Sequence, residues 1–169
     1  GLLGALVREI EKEGFRVVGV DEIMPSLLAP LGIYGKHKPD DQALADIRRG
    51  VEVARGIGAL DVGQGAVVQE GLVLGVEAIE GTNRLLARCK DLKRKGPGGV
   101  LVKLKKPEQE SRADLPTVGV ETIKQAASAG LRGIAIEAGN TLVVDRENAI
   151  AEADKTGLFL IGIDLENET

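Results

Sequence analysis

Residues 65–90 read GAVVQEGLVLGVEAIEGTNRLLARCK. Two apolar runs, GAVVQ and LVLGVEAI, flank Glu70-Gly71, which predicts a β-hairpin. The pattern then changes abruptly. Glu77, Glu80, Gly81, Thr82 and Asn83 crowd one chain reversal, and NRLLARCKDLKRK comes next with Leu85, Leu86 and Cys89 at helical spacing. Gly96, Pro97, Gly98 and Gly99 end that helix.

Outward from this stretch, strands and helices alternate. GVLVKLKKP is a strand leading into the polar loop EQESRADLPTVG, and VETIKQAASAG is a helix with a glycine stop. RGIAIEAGNTLVVD is expected to be two strands around Gly139-Asn140, a second hairpin signal. RENAIAEADKTG is a helix and LFLIGID the last buried strand. On the other side, Pro39-Asp40 opens a long helix, DQALADIRRGVEVARGIG, with an apolar stripe at 44, 47, 51 and 54. Hairpins mixed with strand–helix alternation predict an α/β fold, a three-layer sandwich with a mixed sheet and helices on both faces.

Residues 1–32 read as helix, strand (FRVVGV) and a short helix capped by Asp21. They are expected to be the end of an N-terminal α/β domain otherwise absent, because the chain begins at Gly1 rather than Met. Residues 33–39 are expected to be a linker, and 40–169 the C-terminal domain that carries the chemistry.

Composition removes several functions. Aromatics are 2% of the 169 residues and the net charge is −4, so neither a stacking surface nor a general basic field exists for nucleic acid. One cysteine, Cys89, and one histidine, His37, cannot build a zinc site or a Cys–His nucleophile. No apolar run approaches a membrane span. The core must be built from Val, Ile, Leu and Ala.

Polar clusters come after the apolar strands, where open α/β sheets place ligands. The first is Asp61-Val-Gly-Gln64, which reads equally as a turn. The second is the reversal at 77–83. There, Thr82 or Asn83 could simply cap the next helix. The same geometry offers free N–H groups to a phosphate, with Glu77 and Glu80 as oxygen ligands for a hard cation. The third is Lys103, Lys105, Lys106, Gln109, Arg112 and Asp114 in VKLKKPEQESRADLP. It is either a solvated basic loop or a clamp for a diphosphate whose remaining charge a metal bridges. Glu137-Ala-Gly139-Asn140 reads as a hairpin turn only.

Taken in order, D-x-G-Q, E-A-x-E-G-T, K-P-x-Q and R-x-D-L-P-T-x-G resemble the C-terminal domain of the UDP-2,3-diacylglucosamine pyrophosphatases of lipid A synthesis. The similarity runs from about Gly35 to Asp164. It implies Mg²⁺-dependent hydrolysis of UDP-2,3-diacylglucosamine to UMP and 2,3-diacylglucosamine 1-phosphate (lipid X), with Mn²⁺ as a substitute. It implies catalytic roles for Asn83, Glu80, Asp61 and Lys103, and a metal site of Glu77, Glu80 and Asn83. Substrate contacts would come from Gln64, Gly81, Thr82, Lys106, Gln109, Arg112, Asp114 and Thr117. It also implies a cytoplasmic protein peripheral to the inner membrane, working with the N-terminal domain; a homodimer stays open. The family pattern reads E-G-T-D where this chain has Asn83. Asn keeps the shape but loses the charge, so turnover is expected to be impaired. The alternative is a non-catalytic module that binds a sugar nucleotide or lipid phosphate.

Overall fold

The computed structural model describes residues 2–107 and 114–166. The helices are α1 (Leu2–Lys12), α2 (Val20–Ile23), α3 (Asp41–Ala59), α4 (Gly81–Leu92), α5 (Val120–Ser128) and α6 (Arg146–Thr156). The strands are β1 (Gly32–Tyr34), β2 (Gly65–Gln69), β3 (Leu72–Val76), β4 (Val100–Lys103), β5 (Thr117–Val118), β6 (Gly133–Glu137), β7 (Leu142–Val143) and β8 (Phe159–Ile163). Six strands form one sheet in the order β1-β8-β6-β4-β2-β3, and β5 and β7 pair separately. The pairs β8–β6 and β6–β4 are parallel and the other pairs of the large sheet are antiparallel, so the sheet is mixed as expected.

Alternation along the strands builds two apolar layers. Val67, Leu101, Ile134, Ile136 and Leu160 pack with Leu85, Leu86 and Cys89 of α4, Ile123 and Ala126 of α5, and Ala149 and Ala153 of α6. Ala66, Val100, Val102, Ala135 and Phe159 pack with Ala43, Ile47, Val51 and Ala54 of α3. The α3 stripe is offset from the expected one: Ala43, Asp46 and Gly50 are buried and Leu44 is half out. Asp40 starts α3 by accepting the Ala43 N–H at 2.8 Å.

The β2–β3 hairpin forms at Glu70-Gly71, with φ of 51° and 79°, the pair of positive values that a tight hairpin turn requires. Asp46, buried on α3, accepts the N–H groups of Glu70 (2.9 Å) and Gly71 (2.7 Å) and so locks the turn to the helix.

Several expectations fail. Gly139-Asn140 is no hairpin. Both edges of β6 are taken, by β4 and β8, so β7 pairs with β5 in the small sheet instead. FRVVGV forms no strand, and Phe15 is exposed. Asp21 lies inside α2, whose N-cap is Gly19. The segment expected as a linker begins as strand: Gly32–Tyr34 pair with β8. Asp154 anchors the two residues at 36 and 37. Its carboxylate accepts the Lys36 N–H at 2.7 Å, and its carbonyl lies 3.1 Å from His37 Nε2.

Candidate functional site

The site grows from one row across three strands. Gly65 on β2 lies opposite Lys103 on β4, and on its other side the Glu77 N–H donates to the Gly65 carbonyl at 2.7 Å. Gly65, between them, has no side chain, and the Glu77 charge acts on the Lys103 amine. A Cβ at Gly65 would stand 2.7 Å from Glu77 Oε2.

Both members of the row are buried, Glu77 at 6% exposure and Lys103 at 7%. Thr82, in the first turn of α4, donates its hydroxyl to Glu77 Oε1 at 3.1 Å. Glu77 Oε2 is buried and has no hydrogen-bond partner among the described residues. A buried polar oxygen without a partner is costly, and a water, an ion or a ligand group can satisfy it. Lys103 donates to the Thr117 carbonyl at 3.2 Å. Burial holds the Lys103 amine below its usual range, while the charges of Glu77 and Asp114 pull the other way.

α4 does not begin as expected. Gly81 opens it with φ 77°, Glu80 is the N-cap in helical conformation, and no side chain caps it. Thr82 therefore serves Glu77 rather than the helix, and Asn83 is exposed on the first turn. Glu80 accepts Ala78 N–H at 3.2 Å on Oε2 and Arg88 Nε and Nη2 at 3.2 and 2.8 Å on Oε1. Its own backbone N–H and then Arg88 hold its carboxyl below the ordinary range.

Asp61 and Lys106 meet as an ion pair at 2.6 Å, and this contact keeps the largely exposed Asp61 carboxyl low. Asp61 sits at φ 55°, a backbone state that is uncommon outside Gly and that clusters at functional sites. The loop it belongs to is jammed against the reversal: a Cβ at Gly63 would fall 2.0 Å from the Glu77 carbonyl. Gln64, which follows Gly63, accepts Leu104 N–H on its carbonyl at 2.9 Å and leaves a buried Oε1 without a partner among the described residues. Thus Glu77, Thr82, Lys103, Asp114 and Thr117 gather on the α4 side of the sheet end, and Asp61 with Lys106 at the C-terminal end of α3. Gln109 and Arg112 lie outside the described residues.

Sequence reasoning missed Gly63 and Gly65, whose role is to be absent as side chains, and Arg88. The strand expected over GVLVKLKKP is shorter, since β4 ends at Lys103. Lys105 instead gives its N–H to Glu137 Oε2 at 2.9 Å, which makes Glu137 a brace rather than a plain turn residue.

These features define an α/β domain with a buried carboxylate and a buried lysine at one end of a mixed sheet. The family model described as "LpxI C-terminal domain" matches residues 30–161, and the chain belongs to this family. A protein named UDP-2,3-diacylglucosamine pyrophosphatase LpxI, from Caulobacter vibrioides, is 53% identical over 96% of the chain. The chain spans 60% of that relative's length.

Proposed function

We propose that the site binds the diphosphate of UDP-2,3-diacylglucosamine and, with the segment of the relative that this chain does not span, hydrolyses it to UMP and 2,3-diacylglucosamine 1-phosphate. The observation that carries this reading is the Glu77–Gly65–Lys103 row, with a buried Glu77 oxygen that lacks a partner among the described residues and a buried Lys103 amine on which the Glu77 charge acts. Lys103 offers positive charge to a phosphate oxygen from a desolvated position, where it acts more strongly than in water. Lys106 supplies a second cation at the mouth. Leu60, Val62 and Ile79 are exposed on the two loops that carry Asp61 and Glu77, an apolar rim fitted to acyl chains.

The donors here suit Mg²⁺. Among the described residues no group of three or more His, Cys, Asp or Glu side chains gathers, but Mg²⁺ commonly uses one or two carboxylates and takes its other ligands from water and substrate phosphates. Glu77 Oε2 would be the carboxylate ligand, and Asn83, exposed on the first turn of α4, would offer an amide oxygen. Glu80 is committed to Arg88. Bound there, the ion would neutralise charge on the diphosphate oxygens. Glu77 is held by Thr82, so its aim is fixed before any ligand arrives. Asn83 cannot take a proton from water, so its replacement of aspartate lowers turnover more than affinity.

Asn83 also favours a second reading, a module that binds the same lipid without cleaving it. Calorimetric titration with UDP-2,3-diacylglucosamine and with UDP-N-acetylglucosamine tests the substrate. Tight binding of the first and weak binding of the second is expected. Equal affinity for the two would refute the diacyl substrate.

A further inference from the structure

The reversal between β3 and α4 is strapped by Arg88, a residue outside every motif that marks the family. From α4 it reaches back with Nε and Nη2 to Glu80 Oε1 at 3.2 and 2.8 Å, and Nη2 also donates to the Val76 carbonyl at 2.5 Å. Glu80 Oε2 takes Ala78 N–H at 3.2 Å. One guanidinium thus ties the last residue of β3 to the residue before α4, and Glu77 lies between them. Gly75 makes room for it, since a Cβ there would lie 2.9 Å from Arg88 Nη1. The planar fork suits two acceptors at once, which an ammonium does not match.

We propose that Arg88 is a positioning residue. It holds Glu80 as the ionised clasp of the turn and so fixes Glu77 and Thr82 in register with Lys103. Among the described residues Glu77 accepts only the Thr82 hydroxyl, and the turn places Thr82, so the direction of the carboxylate depends on the backbone of the turn. Arg88 also neutralises Glu80, which lessens repulsion toward an anionic ligand. The inference rests on the diphosphate reading of the site and deepens it: Glu80 acts as the clasp, and Glu77 as the carboxylate that faces the ligand.

The test compares Arg88→Ala, Arg88→Lys, Glu80→Gln and the double variant Arg88→Ala/Glu80→Gln. The first readout needs no ligand. Amide exchange at Ala78 should quicken about tenfold in Arg88→Ala, the change that one hydrogen bond of ordinary net strength carries. Arg88→Lys should recover part of it, and exchange at Ala43 in α3 should stay unchanged in every variant. The second readout is affinity for UDP-2,3-diacylglucosamine. Arg88→Ala and Glu80→Gln should each weaken it about tenfold, and the double variant no more than either, as residues acting through one another behave. Unchanged exchange at Ala78, or additive losses of affinity, would overturn the strap. Altered exchange in a protein that never binds this lipid would leave the strap standing and refute the assigned substrate.

Discussion

Gly65→Ala is the substitution that probes the site most sharply, because it adds one carbon at the centre of the row. That carbon would stand 2.7 Å from Glu77 Oε2, whereas an ordinary contact is roughly 3.5 Å. Glu77 cannot swing away cheaply, since Oε1 is tied to Thr82 at 3.1 Å and the side chain is buried. The carboxylate must therefore move by a large part of an ångström. A displacement near 1 Å costs about 100-fold in rate when it misplaces a reacting or ligating group. Overpacking of this kind costs stability about 1–3 kcal/mol, so the domain stays folded. The assay is kcat/KM for UDP-2,3-diacylglucosamine, measured in the Asn83→Asp background on a chain fused to the relative's remaining segment, beside urea unfolding of the same variant. A folded Gly65→Ala protein with kcat/KM within about twofold of its parent would refute the row as the site, because no catalytic group at that position tolerates such a shift.

Other contacts give further expected outcomes. Asp46→Ala strips the Glu70 and Gly71 N–H groups of their partner and should cost about 2–3 kcal/mol in denaturant unfolding, with little effect on ligand affinity. Burial lowers the Lys103 pKa, so the folded chain loses this proton at lower pH than the unfolded chain. In the window below the ordinary lysine value of 10.5, stability from this group therefore rises with pH, and Lys103→Met should flatten that rise in pH-dependent thermal unfolding. Hydrolysis by the Asn83→Asp protein should need Mg²⁺ or Mn²⁺, should not need Zn²⁺, and should vanish in excess EDTA; full activity in EDTA would exclude the metal. Residues 1–169 alone, carrying Asn83→Asp, should turn over no substrate until the relative's remaining segment is supplied in cis or in trans, since a cleft between domains is a common place for a pocket.

Where local chemistry decides the conformation, the sequence was readable. Glu70-Gly71 sits between two β-branched runs and leaves the chain no other turn, and Asp40 before an amphipathic stretch marks the start of α3. The mixed sheet is a consequence of these two kinds of signal. Long-range competition was not readable. Gly139-Asn140 has the local signature of a hairpin, yet both edges of β6 are satisfied by strands far away in sequence. Gly32–Tyr34 is too short and too polar in its surroundings to announce itself as a strand, and only β8 makes it one. At the candidate site, the polar clusters after the strands were visible as clusters in the sequence. The partners within each cluster depended on side-chain reach. Thr82 has the chemistry of a cap, but Gly81 with its positive φ starts α4 earlier and turns the hydroxyl to Glu77. Arg88 gave no signal, because nothing local shows that Gly75 opens a path for it.

If the end of the sheet bearing Glu77, Thr82 and Lys103 is a pyrophosphate-hydrolysing site, Asn83 has removed one charge from it. The most direct test is the steady-state rate of UMP release from UDP-2,3-diacylglucosamine in Mg²⁺. It compares the Asn83 and Asn83→Asp forms, each fused to the relative's remaining segment. Restoring the carboxylate should raise turnover at least ~100-fold, the low end of a lost general-base contribution, while affinity for the substrate changes little. Equal turnover in the two forms would contradict this and remove Asn83 from the mechanism.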